Sequence, residues 1–136
     1  MGFLFSTFSA VTELFVTAAV FTYLWHGWRH GVLRTSLIAF ALVYEILVNV
    51  AYMTFRMLFP PADTAYPGWV EAVLPWHGIL SLLMLLGLIG LVLEARRSAL
   101  RGGNVLRERP RTALGFAILW TVSIASGEVI YIATYL

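Results

Sequence analysis

Apolar residues run through this chain in four long blocks, separated by three short polar connections of unequal character. The blocks cover about residues 8–25, about 35–59, a third beginning between Trp69 and Trp76 and ending near Ala95, and about 112–136. A helix needs roughly 20 mainly apolar residues to cross hydrocarbon. Lipid offers backbone groups no partner, so a spanning segment must close its own hydrogen bonds. The pattern therefore predicts an all-α protein: an integral membrane, antiparallel four-helix bundle forming one domain over residues 1–136.

The connections set an expected orientation. HGWRHGVLR, residues 26–34, is short and basic, and EARRSALRGGNVLRERPR, residues 94–111, carries six arginines and a Gly-Gly break. FPPADTAYPGW, residues 59–69, has paired prolines and Asp63 but no basic residue. In a four-span chain the first and third connections share one side, so eight of the nine arginines lie there. Basic loops stay cytoplasmic. Both termini and the proline loop are then extracytoplasmic. Trp25, Trp28, Trp69 and Trp76 fall near block ends, where interfacial aromatics sit. The arginine-rich loop reads as a solvated orientation signal that meets anionic lipid, or as a short surface helix.

Polar residues inside the apolar blocks carry the chemistry. Glu45, Asn49, Tyr52 and Arg56 are spaced i, i+4, i+7, i+11 and fall within about 60° of one another on a helix. A charge at mid-membrane costs at least about 2.5–3.5 kcal/mol, so this stripe should face other helices. Ser6, Ser9, Glu13 and Thr17 share a face of the first helix, and His77, Ser81 and Met84 share one on the third. On the fourth, Glu128 shares a sector with Thr121, Ala125 and Tyr135, with Tyr131 one turn away. Each span thus brings an ionisable group toward the extracytoplasmic half, and a polar pocket opening to that side is expected. Gly87, Gly90, Ser123 and Gly127 would let helices approach closely.

Several uses of that convergence follow. Arg56 is expected to pair with Glu13, Glu45 or Glu128, as a lock on helix register or a docking point for a partner. The structural polar cluster is Glu45, Asn49, Tyr52, Arg56 and Glu128. Histidine and carboxylates from different helices are also the material of bundle metal sites, so His77, Glu13, Glu45 and Glu128 form a candidate metal set. His77 and Tyr131 are candidate cofactor-binding residues, with quinone, haem or copper as the groups they would hold. The Glu-x-x-His spacing of bundle metal sites is missing, and His26 and His30 lie on the opposite side, too far to complete a bis-histidine haem. A proton path along these acids lacks polar groups in the cytoplasmic half.

Composition sharpens the picture. The chain is 60% hydrophobic and 12% charged, about half the charged content of a soluble domain. It has no cysteine, so disulfides, thiolate metal sites and covalent haem attachment are excluded. Every basic residue is arginine, with a net charge of +2, and the loops account for that charge without nucleic acid. MGFLFS matches a myristoylation pattern at Gly2 and Ser6, but one acyl chain adds little to a polytopic protein. The first block lacks the flanks of a signal peptide and is expected to be retained. No nucleophile motif or phosphate-cradling loop is present, which argues against hydrolase or transferase chemistry.

The stretches WHGILSLLMLLGL, LRGGNVLRERPRTA and LWTVSIASGEVIYIATYL resemble a bacterial four-helix membrane family catalogued as a domain of unknown function, similar to the family that includes an assembly factor for cytochrome c oxidase. His77, Trp120, Gly127, Tyr131 and Tyr135 fit its pattern, and LRTSLIAFALVYEILVNVAYMTFRM fits more loosely. Where the family carries further histidines this chain has Leu33, Arg56 and Glu108, so only His77 carries over. The resemblance implies a small accessory subunit or assembly factor of a respiratory, electron-transfer complex. Its setting would be the bacterial cytoplasmic membrane, and its partners lipids and other membrane-protein subunits.

Overall fold

The computed structural model describes residues 2–59 and 66–136, with side chains from Leu4 onward in the first segment. It contains α1 (Gly2–His30), α2 (Thr35–Leu58), α3 (Gly68–Leu100), the short α4 (Val105–Glu108) and α5 (Pro110–Tyr135). The four long helices are each long and apolar enough to cross a membrane, and the described residues include no strand. The helices outrun the apolar blocks: α3 continues past Ala95 through Arg96 and Arg97, and α1 reaches His30. The paired prolines and Asp63 of the second connection lie outside the described residues.

The long helices pack antiparallel. Near the start of α1, Ser6 Oγ donates to Tyr135 Oη at 3.2 Å, and Thr7 shares a 2.6 Å hydrogen bond with Tyr131 near the end of α5. Further along, Trp120 Nε1 donates to Thr17 Oγ1 at 3.1 Å. Phe5 stacks on Tyr52 and Phe55 near the end of α2, at 5.6 Å in both cases. Thus α1 is the shared neighbour of α2 and α5, and α3 lies along α5.

One half of the bundle is dry. Val16, Val20, Tyr23 and Leu24 of α1 meet Ile38 and Ala41 of α2, Met84 and Leu88 of α3, and Phe116 and Trp120 of α5. The Phe116 ring lies beside Gly87 of α3, where a Cβ would meet it at an ordinary 3.5 Å. Outside this core the side chains are largely apolar and exposed, as lipid-facing helices require.

The arginine-rich connection is more than a solvated signal. Gly31, with φ +66°, ends α1 in the left-handed conformation that favours glycine. The Gly31 and Val32 N–H groups return to Gly27 O and His26 O. The last carbonyls of a helix beyond such bonds lack intrahelical partners, and Asn104 and α4 supply further donors. Asn104 Nδ2 donates to Gly27 O at 2.7 Å, and Arg107 donates to Trp28 O at 3.1 Å and Arg29 O at 2.9 Å. Asn104 also caps α4 by accepting from the Arg107 backbone N–H, and Leu106 is buried beneath. Pro110 opens α5, where its missing N–H costs nothing.

Candidate functional site

The polar half of the bundle holds a cavity. α2 packs along α1 but barely meets α3. Between them lies a space of about 340 Å³, walled by α2 and α3 and backed by α1 and α5. Helical periodicity explains its lining. Ser6, Ser9 and Glu13 recur on one face of α1, Asn49, Tyr52 and Arg56 on α2, His77, Ser81 and Leu85 on α3, and Gly127, Tyr131 and Thr134 on α5. The most sparsely packed seam is the one between α2 and α3, which faces hydrocarbon when the helices span a membrane.

At one end Arg56 donates to Tyr66 Oη at 2.7 Å and to Tyr52 Oη at 3.3 Å, with its guanidinium 5.6 Å and 6.0 Å from the two ring centroids. The expected ion pair with Glu13, Glu45 or Glu128 is replaced by these two phenols. Eleven residues of helix, about 16 Å of rise, separate Arg56 from Glu45, and Tyr66 ahead of α3 lies closer. Tyr66 was not among the expected residues, because it stands outside every apolar block and shares no helical period with the stripe.

Deeper in, His77 Nδ1 and Ser126 Oγ are 2.7 Å apart, and Ser126 Oγ also donates to Ser123 O at 2.7 Å. Gly127 makes room for the imidazole: a Cβ there would lie 2.9 Å from His77 Cε1, 3.3 Å from Nε2 and 3.7 Å from Glu13 Oε2. Both His77 and Glu13 therefore reach the α5 backbone at the same point of the wall. Ser126 also escaped the sequence reading. Its only signal is a position three residues after Ser123 and one before Gly127.

The remaining acids sit apart from the cavity lining. Glu45 is buried, and Asn49 Nδ2 donates both to its Oε1 at 2.9 Å and to its backbone carbonyl at 2.8 Å. Glu128 Oε1 is buried without a hydrogen-bond partner. Among the described residues no three of His, Cys, Asp or Glu gather as a group able to hold a metal ion. The candidate set His77, Glu13, Glu45 and Glu128 is not gathered as such a group, and Glu45 Oε1 is engaged by Asn49. His26 and His30 stand side by side, ring centroids 5.5 Å apart, at the opposite end of α1 from Glu13 and offer His77 no second axial ligand. Tyr131 lines the cavity with its hydroxyl tied to Thr7.

Fold and cavity together define a class: a small multi-pass helical membrane protein with a largely apolar chamber between its spans into which a few polar groups converge. No family model, curated protein or solved structure matches the chain.

Proposed function

We propose that the chain binds the head of a quinone-class lipid, admitted from the bilayer through the α2–α3 seam, as a small component of an electron-transfer membrane complex. One observation carries this reading: a largely apolar chamber of about 340 Å³ with a few converging polar groups, at the sparsely packed seam between α2 and α3. Small-molecule sites have this size and this mixture. A flat, polar-edged ring fits between Tyr52, His77 and Tyr131, while an isoprenoid tail stays in lipid along the seam. The arginine-rich end is taken as cytoplasmic, which puts the chamber in the extracytoplasmic half. Purification in mild detergent followed by organic extraction and chromatography tests the proposal. Stoichiometric quinone is expected, and it is lost when the chamber is filled by Gly78→Trp. No quinone above the level of a control membrane protein would overturn it.

A second role, as accessory subunit or assembly factor, is favoured by the outer surface. Only 17% of each apolar window is buried inside the chain, leaving broad helix faces for lipid or neighbouring subunits. Co-purification with larger respiratory subunits would support it, and a chain that migrates alone would not.

A further inference from the structure

Resting on the quinone-site reading, we infer that the chamber selects the reduced hydroquinone over the oxidised quinone, because His77 presents it with a hydrogen-bond acceptor. Ser126 has one hydroxyl proton, and it goes to the Ser123 carbonyl at 2.7 Å. Its oxygen therefore meets His77 Nδ1, 2.7 Å away, with lone pairs, and Nδ1 must carry a hydrogen. A neutral imidazole has one N–H, and a position among apolar spans favours the neutral ring. Nε2 is left as a bare acceptor. Nε2 and Glu13 Oε2 each lie at the Gly127 wall, and among the described residues Nε2 has no hydrogen-bond partner of its own.

The two redox forms differ at this point. A hydroquinone O–H donates to Nε2. A quinone carbonyl only accepts, so it sets lone pair against lone pair. At the other end Arg56 has N–H donors beyond the two given to Tyr52 and Tyr66, and these serve either form. Discrimination therefore arises at His77. A phosphate head, which also only accepts, would satisfy Arg56 and leave Nε2 unmet. Preferential binding of the reduced form raises the reduction potential of the bound couple by linkage.

The test uses the full chain in detergent under anaerobic conditions. A decyl-tailed benzoquinone and its hydroquinone are compared by equilibrium dialysis. The quinol should bind about tenfold more tightly, the value of one buried hydrogen bond. His77→Phe should abolish the preference while quinone binding persists. Gly127→Ala, which pushes the imidazole aside without changing charge, should do the same and guards against a misfolded first variant. Equal affinity for the two forms, or a preference that survives both substitutions, would overturn the inference and leave the quinone site standing. Binding of neither form to folded protein would overturn both. Displacement of both forms by phosphatidylglycerol at equal concentration would reassign the chamber to a phospholipid head.

Discussion

Leu106 of α4 fills the space that Gly27 leaves open on α1. A Cβ on Gly27 would collide with Leu106 Cδ1 and lie 3.3 Å from Leu33 Cδ2. Leu106 is almost completely buried, so its tip has little room to swing away. Gly27→Ala should therefore destabilise the protein by about 1–3 kcal/mol, the usual range for overpacking. Shortening the neighbour in Gly27→Ala/Leu106→Val should recover part of that loss. Thermal unfolding in detergent reads both, and additive effects would mean that the two do not meet.

The Arg56 cluster makes a separate claim. Its guanidinium holds two phenols on different elements, which a lysine ammonium on a single stem cannot copy. Arg56→Met and Arg56→Lys should each cost about 1–2 kcal/mol, the loss of one or two half-buried hydrogen bonds. Because Arg56 has no carboxylate partner among the described residues, Arg56→Met combined with Glu13→Gln should be additive within about 0.5 kcal/mol. A larger coupling in the melting data would restore the ion pair that the stripe on α2 first brought to mind.

The contrast between those two sites shows what the chain reveals when read alone. Four apolar blocks yield four helices because burial of backbone polar groups in lipid permits little else. The chamber was legible too: Ser9, Glu13, Asn49, Tyr52 and His77 recur at helical spacing, and a polar stripe on an apolar helix must face inward. Partner choice was not legible. Periodicity gives a direction around a helix, and it does not say that Arg56 would reach Tyr66 ahead of α3 or that Ser126 would meet His77 across a helix pair. Nor does it show that Asn104 and α4 would dock on the carbonyls of Gly27, Trp28 and Arg29, since that depends on Gly31 turning the chain back.

Orientation is tested by single cysteines, for which the cysteine-free chain is a ready background. Leu136→Cys lies at the exposed end of α5, and Arg101→Cys at the exposed end of α3. A membrane-impermeant maleimide should label Leu136→Cys on intact bacterial spheroplasts and Arg101→Cys only after lysis. The reverse pattern would put the chamber in the cytoplasmic half.

The His77 tautomer has a direct signature. Nitrogen-15 spectra of the labelled imidazole should show a protonated Nδ1 and an unprotonated Nε2 in the ligand-free protein. Ser126→Ala removes the acceptor from Nδ1, and the second tautomer should then become populated. An Nε2–H form in the parent protein would mean that Ser126 gives its proton to the ring instead of to Ser123.

Glu45 and Asn49 form a local pair whose energetics depend on which member is removed. Asn49 uses both amide hydrogens on the same residue one turn below, one on the carboxylate and one on the main-chain carbonyl. Asn49→Leu would leave a buried carboxylate without its donor, and such a group costs about 1–3 kcal/mol, more if charged. Glu45→Leu would leave Asn49 half-exposed at the chamber wall, where its amide can still find the carbonyl, so its cost should be smaller. The double variant replaces a polar pair by two well-packed apolar groups, a change that is often neutral. The order of stability in detergent melts should therefore place Asn49→Leu lowest, with the double variant above it. If the double variant is the least stable of the three, the pair contributes net stability, and its burial is more than a tolerated cost beside the chamber.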